Sequence, residues 1–68
     1  MDSKIISRFG RTIRRLREGR GLTQEELGKL AKLHRTYIGM IERGEKNITL
    51  GNIEKLSKAL KTPVRDLF

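Results

Sequence analysis

The sequence predicts an all-α fold: a compact five-helix bundle formed as a single domain over residues 1–68. Three observations predict it. Apolar residues recur at intervals of three and four, the period of one helical face. No run of alternating β-branched residues is long enough for a strand. Glycines and hydroxyl-bearing residues interrupt the pattern at short intervals, as helix ends and starts require. A domain this small buries only ~60% of the surface its unfolded chain exposes. With no cysteine in the chain, neither a disulfide nor a thiolate metal site adds to the core, so stability must come from packing or from a partner.

The first helix is expected from about Ser3 to Arg17, where Ile6, Phe9, Ile13 and Leu16 form one stripe. Arg8, Arg11, Arg14, Arg15 and Arg17 surround that stripe, and Gly10 within it marks a close approach of another backbone. Gly19 and Gly21 end the helix. Thr23 opens the second, since its hydroxyl can accept the amide hydrogen of Glu26 while the Glu26 carboxylate reaches back to the cap. Leu27 and Ala31 are its core residues, and Gly28 leaves room for a crossing helix. After a break at Lys32 to His34, the third helix runs from Arg35 to Arg43 with Ile38 and Ile41 inward, and Gly44 caps it. Thr49 starts the fourth, in which Leu50, Ile53, Leu56 and Leu60 are expected to face the core. Pro63 suits the first position of a fifth, short helix that carries Val64, Leu67 and Phe68.

Charge narrows the function. Sixteen Lys and Arg against eight Asp and Glu give a net +8. Residues 1–20 contribute seven cations against Asp2 and Glu18, residues 43–68 six against three acids, and the middle sums to zero. Such an excess fits a polyanion, because each cation set on a phosphate releases condensed counterions. No apolar run has the length of a signal peptide core or a membrane span, which predicts a soluble cytoplasmic protein and no membrane partner. A single histidine, no cysteine and acids placed at helix starts leave no activated nucleophile and no ligand cluster. An enzyme, a metal and a cofactor are therefore not expected, and the turn glycines show neither GxGxxG nor P-loop spacing.

Residues 23–43 form the central unit: two short helices across a tight turn, a helix-turn-helix, with a polar face left over on the second. LTQEELGKLAKLHRTYIGMIERGEKNITLGNIEKLSKAL resembles the Cro/cI-type (XRE-like, lambda-repressor-like) helix-turn-helix family, and within it the controller proteins of restriction-modification systems. The combination of TQEEL, the RTYI and IERG block and the NITL loop carries the resemblance. It implies a homodimer that binds a palindromic double-stranded DNA operator and regulates transcription in the bacterial cytoplasm, associated with the nucleoid. It also leaves room for a contact with RNA polymerase.

By the same resemblance, Arg35 and Thr36 take base-reading positions, and arginine offers two parallel donors that match guanine O6 and N7. Met40 joins this set without a directional bond to a base edge. Gln24, His34, Tyr37, Gly39, Arg43, Lys46 and Asn47 take positions along the sugar-phosphate backbone. Tyr37 also reads as a packing residue, and the loop cations as solvated ones. Arg17 and Glu42 match a structural ion pair, and Val64, Leu67 and Phe68 are candidates for the dimer interface. Lys32 departs from the family pattern by standing at the turn where Gly or Asn is usual, and a positive φ there costs a non-glycine residue about 1–2 kcal/mol. An antitoxin-like or coactivator-like interaction module, with DNA binding secondary, is the alternative reading of the same basic surface.

Overall fold

The computed structural model describes residues 4–68, so the expected start at Ser3 lies outside the described residues. Helix α1 spans Lys4–Gly19, α2 Gln24–Ala31, α3 Arg35–Glu42 and α4 Leu50–Ala59. The fifth helix is not an α-helix: Val64–Leu67 is a single 3-10 turn. Four residues cannot close a run of i to i−4 bonds, and the Asp66 amide instead bonds the Pro63 carbonyl at 2.9 Å.

All four α-helices end in the same way. The amides of Leu22, Leu33, Glu45 and Thr62 each reach back five residues, to the carbonyls of Arg17, Gly28, Met40 and Ser57, at 2.8–3.1 Å. This ending needs a left-handed residue just before each of those amides. Gly21 and Gly44 supply it at φ +69° and +72°, while Lys32 and Lys61 supply it at φ 59° and 52°. The two lysines carry a strain that the glycines do not, offset in part by a cation at the negative end of a helix dipole. Replacing either lysine by Gly is expected to raise stability by about 0.5–1 kcal/mol, the relief of strain less the entropy gained by the unfolded chain. A thermal melt of Lys61→Gly checks this, and a lower Tm would mean that the dipole interaction outweighs the strain.

The helix starts follow the sequence. Thr23 Oγ1 accepts the Glu26 amide at 3.0 Å and Glu26 Oε1 accepts the Thr23 amide at 2.8 Å, a complete capping box. Thr49 Oγ1 accepts the Asn52 amide at 3.2 Å.

The core consists of Phe9, Ile13, Leu27, Ala31, Ile38, Ile41, Ile53, Leu56, Leu60 and Leu67. Helix α3 packs against both α1 and α2, α4 packs against α2, and the C-terminal turn bridges α4 and α1. Two glycines allow the closest crossings. A side chain on Gly10 would run into the carbonyl oxygens of Ile41 and Glu42, and one on Gly28 into the carbonyl oxygen of Leu33. Both obstacles are backbone, so α3 sits at a fixed distance from α1 and at a fixed turn from α2.

Two apolar residues differ from expectation. Leu50 does not face the core and is 84% exposed. It continues the Ile53, Leu56 and Leu60 stripe one turn beyond the edge of the packed layer. Leu67, an expected interface residue, is fully buried, which removes it from any surface. Val64 and Phe68 remain about two-fifths exposed, and the Phe68 ring lies against Phe9 with centroids 5.0 Å apart.

Candidate nucleic-acid interface

Helix α3 presents two unlike faces. Ile38 and Ile41 are buried in the core, whereas Arg35 and Thr36 are exposed and Tyr37 and Met40 are half-buried. His34 is the N-cap, and its Nδ1 accepts the Thr36 amide at 3.0 Å. That bond requires an unprotonated Nδ1, so in the neutral ring the proton sits on Nε2 as an outward donor. The Tyr37 hydroxyl oxygen accepts Asn52 Nδ2 at 3.0 Å, which ties the ring to α4 and leaves its own proton to donate. The first turn of α3 therefore offers a guanidinium, two hydroxyls and an imidazole N–H.

The frame behind this face is a buried ion pair. Arg17 Nε donates to Glu42 Oε2 at 2.6 Å and Arg17 Nη2 to Glu42 Oε1 at 3.1 Å. The two side chains are only 10% and 3% exposed. Arg17 Nη1 donates to the Leu22 carbonyl at 2.7 Å, and Gln24 Nε2 donates to Glu42 Oε1 at 3.0 Å. One cluster thus joins α1, the loop after it, the start of α2 and the end of α3. Among the described residues no buried side-chain nitrogen or oxygen lacks a partner. The hydrogen bond to Glu42 raises the Arg17 pKa above its ordinary value against the opposing effect of burial, and the charges of Glu42 and Glu18 add to the rise.

The remaining site residues fall into place around this frame. Gln24 is half-buried and held by Glu42, which sets its amide beside α3. Gly39 is buried, and Arg43 Nη1 and the Gln24 amide oxygen lie 3.0 and 3.5 Å from where its Cβ would stand. A side chain there would crowd the ends of those two side chains. Arg43 follows α3, exposed, with Nε donating to Glu45 Oε2 at 3.0 Å, and Lys46 and Asn47 are exposed in the next loop. Val64 and Phe68 lie at the far end of the chain and are not gathered with this set.

Two partners escaped the sequence reading. Glu25 Oε2 lies 3.6 Å from Arg35 Nη1, and Asn52 holds Tyr37. Neither pair has a spacing that signals it, because each joins two helices and follows only from how they cross.

Among the described residues no group of three or more His, Cys, Asp or Glu could hold a metal, and no described helix is long and apolar enough to cross a membrane. What the α3 face offers is hydrogen-bond donors and positive charge on a rigid support.

Residues 13–67 match the model of the helix-turn-helix family. The chain belongs to this family. Over 68 residues it is 46% identical to control protein C.BamHI of Bacillus amyloliquefaciens, covering 98% of this chain and 84% of that protein. It is 45% identical over 67 residues to control protein C.SmaI of Serratia marcescens, covering 98% and 77%. The crystal structure of the restriction-modification controller protein C.AhdI of Aeromonas hydrophila superposes with a TM-score of 0.94 at 44% identity, covering 97% of this chain and all of that one. This member of the family is a helix-turn-helix DNA-binding regulator homologous to restriction-modification control proteins. Its α2 and α3 are the two helices of the helix-turn-helix, packed against each other across the turn at Lys32.

Proposed function

We propose that the chain acts as a homodimer that reads a twofold-symmetric DNA operator with α3, and that it controls the genes of a restriction-modification system from the bacterial cytoplasm, on the nucleoid. The observation that carries this reading is the exposed first turn of α3, with Arg35 and Thr36 free of the core and the buried Arg17–Glu42 cluster fixed behind them. Arg35 reads a guanine, Thr36 meets the neighbouring base, and Met40 adds an apolar contact. Gln24, His34, Tyr37, Arg43, Lys46 and Asn47 hold the flanking phosphates and set the register. Two copies place α3 in successive major grooves about 34 Å apart, on half-sites roughly 10 base pairs centre to centre. Affinity falls steeply with salt, as phosphate contacts require.

The dimer forms through the apolar side chains that the fold leaves exposed near its C-terminal end. Val64 and Phe68 belong to this set. Leu50 joins them, because it stands one turn before Ile53 on the same stripe, and Ile53, Phe68 and the half-exposed Ile5 line one small cavity of about 160 Å3. In the dimer, Leu50 meets the apolar side chains of the second copy. Leu50→Glu is therefore expected to leave the melting temperature of the isolated fold within a few degrees while lowering dimer content and operator affinity together. Sedimentation at several concentrations, read beside a DNA titration, checks this. A variant that dimerises like the wild type would rule Leu50 out of the interface. The controller role is tested by the neighbouring genes, which should include a restriction enzyme or a methyltransferase. A contact with RNA polymerase belongs to the same proposal and is tested by transcription from the operator's own promoter.

A further inference from the structure

Glu25 lies in the first turn of α2 yet takes no part in capping, which Thr23 and Glu26 complete between themselves. Its carboxylate instead meets Arg35 Nη1 at 3.6 Å, with both side chains more than half exposed. Arg35 needs such a partner. It is the first residue of α3, where the helix dipole disfavours a cation, and α3 carries no acid in its own first turn. The two residues line one open cleft together with Lys29, Lys32 and His34, so Glu25 is the single anion in a cationic wall. The backbones that carry the pair are also held at a set separation. Gly28 packs against the Leu33 carbonyl so closely that α2 and α3 cannot slide.

The geometry at the guanidinium matters. With Nη1 turned to Glu25, the edge formed by Nε and Nη2 has no partner among the described residues. That edge carries two parallel N–H groups, the pattern that matches guanine O6 and N7. An unrestrained arginine beside DNA would instead swing to the nearest phosphate, which supports binding to any sequence.

We propose that Glu25 is a positioning residue for Arg35: it holds one nitrogen of the guanidinium so that the opposite edge is offered to a base, and it keeps that side chain off the phosphates. The proposal rests on the reading of Arg35 as a base-reading residue and adds the source of its selectivity. Glu25 stays paired in the operator complex, its own charge discourages phosphates from that side, and both effects raise the ratio of operator to general DNA binding.

The test is Glu25→Gln, measured by titration at fixed salt on three duplexes. They are an operator selected by the wild type, that operator with the half-site guanine replaced by adenine, and a scrambled duplex. The variant is expected to bind the operator about threefold to tenfold more weakly and the scrambled duplex more tightly, as loss of two exposed ion pairs per dimer allows. The penalty for replacing guanine shrinks accordingly. Glu25→Asp restores part of the ratio, which a merely structural role would not require. In an Arg35→Ala background, Glu25→Gln leaves the ratio unchanged. The proposal is overturned if all three duplexes tighten equally, because Glu25 then only repels DNA, or if the effect persists without Arg35. A wild-type preference that survives Glu25→Gln overturns the proposal alone. A wild type with no preference among the three overturns the reading of Arg35 as well.

Discussion

Arg17→Ala is expected to destabilise the fold by roughly 3–5 kcal/mol, because it leaves the Glu42 carboxylate buried, charged and without its main partner. Arg17 Nε and Nη2 make both of the ionic hydrogen bonds to that carboxylate, and Gln24 alone would remain. Natural domains hold only about 5–15 kcal/mol in reserve, and one this short sits near the lower end. At about 4–8 °C per kcal/mol, the melt should move by well over 10 °C. Glu42→Ala should act similarly by stranding the guanidinium. The double replacement Arg17→Met with Glu42→Leu is expected to recover most of the loss, since an apolar pair of similar volume has no charge to desolvate. A double variant as unstable as the singles would mean that the Leu22 and Gln24 contacts hold the fold, not the pair.

The pH dependence of this pair follows from the direction of the Arg17 shift. Because the hydrogen bond to Glu42 raises the folded-state pKa of Arg17 above its ordinary value, the stabilisation is complete below the ordinary arginine range. It is lost only as pH rises through the raised value, so neutral and mildly alkaline solutions leave it intact. A melt that changed between neutral and mildly alkaline pH would locate its cause elsewhere.

Arg35→Ala is the second large effect, and it falls on function and not on the fold. The side chain is 64% exposed and its ion pair with Glu25 is equally open, so its loss should change stability by no more than about 1 kcal/mol. On a symmetric operator the loss occurs twice. A bidentate arginine-guanine contact is worth about 1–3 kcal/mol of discrimination, so two lost contacts weaken operator binding by roughly 30-fold to 20,000-fold. Binding to scrambled DNA should weaken far less, by the phosphate attraction alone. Equal losses on both duplexes would make Arg35 a phosphate residue.

Much of this architecture was legible in the sequence because it is local. Thr23 with Glu26, Thr49 and the glycines at 21 and 44 announce helix ends through chemistry confined to a few neighbours, and the apolar periods of α1 to α3 follow one face each. Lys32 was legible as a left-handed residue because the turn demands one. What escaped was not local. Leu50 fits the α4 stripe as well as Ile53 does, and only the extent of the opposing layer decides that one is outside and the other inside. Leu67 and Phe68 are near neighbours of similar hydropathy, and the return of the chain onto Phe9 settles which is buried. The type of the last helix is not local either, because a proline start and an apolar end are common to an α-helix and a 3-10 turn. At the site, the α3 residues could be placed from the family pattern, but the partners that orient them, Glu25 for Arg35 and Asn52 for Tyr37, depend on how helices cross. Gly39 shows the same limit: that the ends of Arg43 and Gln24 lie beside it follows from how α2 and α3 cross.

Selection of bound duplexes from a random library of about 30 base pairs at fixed moderate salt, run in parallel with Arg35→Ala, decides whether α3 reads sequence. The expected result is a twofold-symmetric site with a guanine in each half, half-sites about one helical turn apart, and no enrichment of that site by the variant. Strong, salt-sensitive binding with no enriched site, or the same site enriched by both proteins, would contradict it.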